Sequence, residues 1–330
     1  MSEKSSERYK GQVTHNPQHS PHLIALCIRT NIGETNDLIA AECESLTGAR
    51  PDADGVAVCH TLDYIPQAAY VRMGLRRIAH APTFDKLLEA IRQAAPQMPD
   101  FRIEAMTLSG RFPLPEMQAV IAAADQILFY PNLKAPKHRL LLVAQNTGFW
   151  LGEILVEPAQ DYARHSDKPY HVSSSLPARI ARALINLVTP PARSLVDPCC
   201  GTGSILLEAH ALGLEAHGAD YNPKIMSMAR RNLEHFGYVP AVDYADARAW
   251  SRTADALVTD LPYGRRLEPA DAILPDILAH TVRLAPVAVY VAGDDISRNL
   301  AVAGYREIEV LRIIKHNNFI RYVHRARARG

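Results

Sequence analysis

The chain is 330 residues long, enough for two domains with separate cores. Its 48% apolar and 22% charged residues exclude a low-complexity or disordered protein. The 36 Lys and Arg balance 35 Asp and Glu, so a net charge of +1 neither demands nor excludes a polyanionic partner; no apolar run is long enough to span a membrane.

The first twenty residues are polar and rich in Ser, Lys, Gln and His, so a disordered tail over 1–20 is expected rather than a signal peptide. His22 to Arg29 alternates like a strand, Thr35 to Leu46 has helical spacing, and Gly55 to His60 reads as a second strand. With Tyr64 to Met73 and Leu75-Arg76-Arg77-Ile78 they complete a small α/β unit over 21–80. A second unit, 81–157, is predicted from a helix at Thr83 to Ala95, a strand at Phe101 to Leu108 and a helix at Leu114 to Ile127. It closes with a hairpin of Arg139 to Gln145 and Phe149 to Val156, turned by Asn146-Thr147-Gly148. Lys134, Lys137, His138 and Arg139 form the clearest local basic cluster and suit phosphate contact, though each alone also suits a loop facing water.

Residues 158–177 read as a polar linker, ending in Ser173-Ser174-Ser175-Leu176-Pro177 before a helix from Ala178 to Leu187. Ser175 is placed to cap that helix. The remainder, 178–330, alternates strands and helices, the pattern of a mostly parallel α/β sheet. Strands are expected at Ser194 to Asp197, Glu215 to Asp220, Ala241 to Tyr244, Asp255 to Thr259, Pro286 to Ala292, Tyr305 to Lys315 and Phe319 to His324. Helices are expected at Ser204 to Leu212, after the Asn222-Pro223 start signal, and at Asp294 to Ala303. Arg312, Lys315, Arg321, Arg325, Arg327 and Arg329 make the C-terminal segment basic, which suits either phosphates or a frayed, solvated end.

Acidic residues stand where four of these strands end. Ligands of parallel α/β sheets sit at the carboxyl ends of the strands. Asp197 precedes the turn Pro198-Cys199-Cys200-Gly201-Thr202-Gly203, whose glycines admit close approach of a ligand and whose following helix opens on free N–H groups. A dinucleotide fingerprint needs a third glycine where this chain has Leu206, and a phosphate-loop lysine is absent. Asp197 would repel a pyrophosphate but suits an ammonium group, so S-adenosylmethionine fits. Asp220 is placed for ribose hydroxyls, and Asp246 beside Ala247 for an adenine amine. Asp260-Leu261-Pro262-Tyr263-Gly264 sets a carboxylate and a proline-fixed carbonyl for a second exocyclic amine, and Tyr263 for stacking on its ring. Cys27, Cys43, Cys59, Cys199 and Cys200 include no CxxC, which argues against a metal centre and for a reducing, cytoplasmic setting. The pair Cys199-Cys200 reads as small residues in a tight turn rather than as a nucleophile.

Asp197-Pro198-Cys199-Cys200-Gly201-Thr202-Gly203-Ser204 together with Asp260-Leu261-Pro262-Tyr263-Gly264 resembles the amino-group methyltransferases, most of all the tRNA guanine-N2 methyltransferases that carry a THUMP domain. That family usually has an aromatic at Cys199 and a second proline at Leu261. Phe101-Arg102-Ile103-Glu104, Arg111-Phe112-Pro113 and Pro131-Asn132-Leu133-Lys134-Ala135-Pro136 are similar to the recurring segments of THUMP, and 21–80 to its ferredoxin-like companion. The resemblance implies a Rossmann-like sheet of seven strands, one antiparallel, preceded by an α+β THUMP-like RNA-binding region. It implies a monomer acting on tRNA without a membrane, at nucleotide 10 ahead of 6. The donor site it implies comprises Ser175, Asp197, Cys199, Gly201, Thr202, Gly203, Asp220, Tyr221, Asp246, Ala247 and Asp260. Asp260, Pro262 and Tyr263 would carry catalysis, and Lys134, Lys137, Arg139 and Arg265 would contact RNA. The same acidic site also suits adenine-N6, a ribosomal guanine or a protein glutamine amide; an inactive RNA-binding protein is the remaining alternative.

Overall fold

In the computed structural model, residues 23–27, 36–262, 270–314 and 320–328 are described. The N-terminal half contains β1 (Leu23–Cys27), α1 (Asn36–Thr47), β2 (Val56–Cys59), β3 (Val71–Ala81), α2 (Phe84–Ala94), β4 (Phe101–Thr107), α3 (Glu116–Ala124), β5 (His138–Gln145) and β6 (Gly148–Val156). Local signals place these elements. Thr83 caps α2 by accepting from the Lys86 amide at 3.4 Å, and Phe84, Leu87 and Ile91 bury one face. Gly148 ends the β5–β6 turn with φ +139°, where a Cβ would lie 2.5 Å from the Ala81 carbonyl oxygen.

These strands form one six-stranded sheet in the order β2-β1-β3-β6-β5-β4. The boundary expected at residue 80 therefore falls inside a continuous structure. β3 spans it, pairing with β1 on one side and β6 on the other. A periodicity reading sees only local spacing, whereas an eleven-residue strand can serve two neighbours along its length.

The second half contains α4 (Ala178–Asn186), β7 (Ser194–Asp197), α5 (Ser204–Ala211), β8 (Glu215–Asp220), α6 (Pro223–His235), β9 (Val242–Tyr244), β10 (Ala256–Asp260), α7 (Ala270–Thr281), β11 (Val287–Ala292), α8 (Ser297–Ala303), β12 (Tyr305–Ile314) and β13 (Ile320–Ala328). Its seven-stranded sheet runs β12-β13-β11-β10-β7-β8-β9. β13 is antiparallel to both of its neighbours and is the one reversed strand. This is the Rossmann-like arrangement expected, and strand order switches direction at β7.

Two expectations fail, the first at the C-terminal edge. The last strand extends to Ala328, four residues past His324, because β11 and β12 both pair with it. Arg312, Arg321, Arg325 and Arg327 are thus part of the sheet, while Lys315 and Arg329 lie outside the described residues; Arg327 pairs with Glu307 at 3.0 Å, and Arg325 lies 4.0 Å from Glu309. Arg312 reaches Asp37 at 3.8 Å, and Arg321 is buried. The other correction is to the linker. Residues 161–167 form a 3-10 helix, and His165 and Lys168 are buried.

The halves share a core. Leu38, Cys43 and Leu46 of α1 join Ala181, Leu184 and Ile185 of α4 and Leu311, Ile313 and Val323 of the C-terminal hairpin in a single apolar cluster. Polar bonds align the contact: the buried Glu42 carboxylate accepts from the Ala69 and Tyr70 amides, each at 2.8 Å, and from Asn186 Nδ2 at 2.6 Å. Apolar burial supplies the attraction between halves, and these bonds fix their register.

Candidate active site

At the switch point, β7 lies between β10 and β8, and the three strands end in Asp197, Asp260 and Asp220. A cavity of about 460 Å³ opens over these ends, within the range of small-molecule sites. Asp197, Cys199, Gly201, Thr202, Asp220, Tyr221, Asp246, Ala247, Asp260, Pro262 and Ser175 all line it, so the sheet brings together nearly all the residues anticipated for the donor. Gly203 is absent from the lining among the described residues: it backs onto α6, where a Cβ would meet the Ala229 Cβ at 3.5 Å. Its φ of +83° turns the chain into α5. Gly201, with φ +54° and nothing within 4 Å of a Cβ position, is the glycine that leaves space. Tyr263 and Arg265 lie outside the described residues.

Asp197 is the most constrained carboxylate. It is 1% exposed; Oδ1 accepts from Thr259 Oγ1 at 2.6 Å and from the Cys199 amide at 3.2 Å. Oδ2 is buried and has no hydrogen-bond partner among the described residues. Burial pushes this carboxyl up to about 8 despite the Thr259 and Cys199 hydrogen bonds, with the charges of Asp260 and Asp220 adding to the rise. Asp197 lines the cavity, and its buried Oδ2, without a partner among the described residues, would be satisfied by a cationic ligand such as an ammonium group.

Asp220 is held by backbone. Its Oδ2 accepts from the Gly201 amide at 3.1 Å and Oδ1 from the Asn222 amide at 2.8 Å, so the same carboxylate shapes the glycine turn. Burial raises its carboxyl, against the pull of those two amides. Asp246 differs from expectation. Arg248 grips it through Nε at 3.0 Å and Nη2 at 2.6 Å, which holds its carboxyl below the usual range. Arg248 also lines the cavity, so a ligand amine meets an ion pair there instead of a lone carboxylate. Burial raises the thiols of Cys199 and Cys200, so neither is a poised nucleophile.

Ser175 does not cap α4, whose N-terminus enters at Pro177 without a side-chain cap. Its Oγ instead accepts from the Val172 amide at 3.0 Å and meets Thr202 Oγ1 at 3.0 Å, tying the strap over the cavity to the glycine turn. Asn232 of α6 completes the tie. Its Nδ2 donates to the Thr202 carbonyl at 2.9 Å and the Tyr170 carbonyl at 2.8 Å, and its Oδ1 accepts from the Tyr170 amide at 2.9 Å. The available signal for Asn232 was an amide among Ala229 and Leu233 on the buried face of a helix. Thr259 and Arg248 carried no comparable signal.

The cluster anticipated for RNA is mostly spoken for. Lys137 pairs with Asp100 at 2.9 Å, and Arg139 is held by Glu104 and Glu157. Lys134 is exposed, in a turn closed by Asn132 Oδ1.

Residues 166–283 match the family UPF0020, described as an RMKL-like methyltransferase domain. That segment is a methyltransferase domain. The matched segment takes in the strap, whose Val172, Ser174, Ser175 and Leu176 line the cavity. Among similar proteins, the tRNA (guanine(10)-N2)-dimethyltransferase of Methanothermobacter thermautotrophicus is 38% identical over 106 residues, 31% of this chain and 32% of that protein. The enzyme of the same name from Methanocaldococcus jannaschii is 26% identical over 211 residues, 58% of each. The chain thus spans about a third of the first relative's length and over half of the second's. In fold, the crystal structure of TrmN from Thermus thermophilus superposes with a TM-score of 0.51 at 19% identity, covering 93% of this chain and 99% of that one. In the methyltransferase domain Asp260 ends β10, Leu261 and Pro262 follow it, and Leu261 is buried in one apolar cluster with Ile277 and Leu278 of α7. Where the family resemblance anticipates a proline, the Leu261 amide donates to the Val291 carbonyl at 2.9 Å, a bond that proline cannot make.

Proposed function

We propose that the protein transfers methyl groups from S-adenosylmethionine to the exocyclic N2 of a guanine in tRNA, at nucleotide 10. The observation that carries this reading is the convergence of Asp197, Asp220 and Asp260 on one cavity at the switch point, with the Asp197 Oδ2 lone pair left open. Two relatives bearing the name tRNA (guanine(10)-N2)-dimethyltransferase support the choice of base and nucleotide.

The residues fit the donor. Asp197 takes its ammonium group, Asp220 its ribose, and Ala247 with the Asp246–Arg248 pair its adenine, while Gly201 leaves the backbone clear. The donor supplies a methyl group already activated on a sulfonium. Asp260 and the carbonyl near Pro262 orient the guanine amine and accept its developing positive charge, and alignment of this kind is worth roughly 7–11 kcal/mol of barrier. Tyr263 stacks on the guanine ring. The six-stranded half, with Lys134, Lys137 and Arg139, holds the tRNA together with Arg265 of the second half. The protein acts as a cytoplasmic monomer.

Mass spectrometry of nuclease-digested tRNA, from cells with and without the protein, tests this reading. Loss of N2-methylated guanosine from nucleotide 10 is expected; unchanged guanosine methylation with a loss elsewhere would redirect the assignment.

A further inference from the structure

The lining of the cavity is chemically lopsided. It holds Asp197, Asp220, Asp246 and Asp260, and the one cationic side chain among the described lining residues, Arg248, is engaged with Asp246. A donor with an amino-acid end brings a carboxylate as well as an ammonium group, and the acids of the lining offer that carboxylate no counter-charge.

A cation stands behind the wall. Lys168, 8% exposed, lies on the strap, and its Nζ donates to Ser204 Oγ. Ser204 lines the cavity and is the first residue of α5, where helix amides point outward. No carboxylate pairs with Lys168 among the described residues. Its nearest acidic influence is Glu208, one turn along α5, and that carboxylate is committed elsewhere: His165 Nδ1 lies 2.7 Å from it and Arg182 Nε donates at 2.9 Å. Burial accordingly holds the Lys168 ammonium down at about 8, with only partial relief from Glu208. A buried ammonium without its own anion, one hydroxyl away from a cavity, is costly unless an anion arrives there.

We propose that Lys168 positions the carboxylate of the methyl donor through the Ser204 hydroxyl: Nζ donates to Oγ, and the hydroxyl proton is left to donate into the cavity. Ser204 is then the contact residue and Lys168 the positioning residue. The two ends of the donor's zwitterion are sorted by the two ends of the glycine turn, the ammonium to Asp197 and the carboxylate to Ser204 with its lysine. The assignment rests on the methyl-donor reading and adds to it a residue that makes no contact with the ligand.

Calorimetry with three ligands tests it: S-adenosylhomocysteine, which has both charged groups; decarboxylated S-adenosylmethionine, which keeps the ammonium; and 5′-methylthioadenosine, which has neither. Lys168→Met is expected to weaken S-adenosylhomocysteine at least about tenfold, the scale of a charge-assisted hydrogen bond. It should leave 5′-methylthioadenosine within about twofold and bind the decarboxylated ligand equally or more tightly, since a nearby positive charge has been removed. Lys168→Arg should restore part of the loss. Ser204→Ala makes the same comparison with one atom removed, and serves if Lys168→Met does not fold. Equal weakening of all three ligands would assign Lys168 to structure alone and overturn the proposal, as would unchanged S-adenosylhomocysteine binding. A wild-type protein that binds none of the three overturns the donor reading, and the lysine assignment falls with it.

Discussion

The Leu261 amide and the Val291 carbonyl, 2.9 Å apart, carry the β10–β11 pairing one residue beyond Asp260. The ladder to β11 therefore runs past Asp260 rather than fraying at it. The side chain of Leu261 adds to the constraint, buried against α7. Leu261→Pro should remove that bond and its packing, at a cost of at least about 1 kcal/mol. Urea unfolding measures the loss; a variant as stable as wild type would show that the bond contributes nothing. Because the cavity's donor end is untouched, S-adenosylhomocysteine affinity should change little while turnover falls.

Donor binding and amine orientation are assigned to different carboxylates, and substitution should separate them. Asp260→Ala is expected to reduce methyl transfer by at least about a hundredfold, the scale of a lost positioned polar group. Calorimetric donor affinity should be nearly unchanged. Asp220→Ala should instead weaken donor binding, and it also strips the Gly201 and Asn222 amides of their acceptor. Identical profiles for the two variants would undo the division.

Asp197 ties stability to pH. Its carboxyl has an ordinary value of 3.8 when unfolded and is pushed up to about 8 in the fold. Between those values the folded state binds the extra proton, so this group's contribution to stability falls as pH rises from about 4 to about 8 and then levels. Asp197→Asn should flatten that slope, raising the melting temperature at pH 8 relative to wild type while abolishing donor binding. Thermal melts from pH 4 to 9 measure it, and parallel curves for the two proteins would contradict it. A residue that destabilises the empty protein and completes the liganded one is the expected signature of a binding carboxylate.

Glu42 holds the halves in register. Glu42→Ala leaves the Ala69 and Tyr70 amides and the Asn186 amide group without their acceptor. A cost of about 3 kcal/mol is expected from three buried donors left unpaired. Equilibrium unfolding should report it as a single lowered transition, because α1 and α4 share one apolar cluster. Two resolved transitions would mean that the halves unfold separately.

Much of the catalytic half was legible in its residues. Strand ends coincide with acids, helix starts with Asn222-Pro223, and glycine turns with positive φ, because each is written in local backbone preference. For the same reason Asp197, Asp220 and Asp260 could be named before any coordinates, and all three face one cavity. Interactions that join distant segments had no such signature. Thr259 meeting Asp197, Asn232 meeting Tyr170 and Thr202, and Lys168 meeting Ser204 are pairings 62, 62, 30 and 36 residues apart.

The division follows from what each level encodes. Hydrophobic period and turn chemistry act over a few residues, so the chain by itself determined its elements, its sheet class and the acids at its strand ends. Which carboxylate keeps an open lone pair, which glycine faces the ligand, and whether 158–177 is a tether or a buried strap depend on what packs across from them. Only the tertiary structure decided those, because desolvation and hydrogen-bond satisfaction are properties of a surrounded atom and not of its place in the chain.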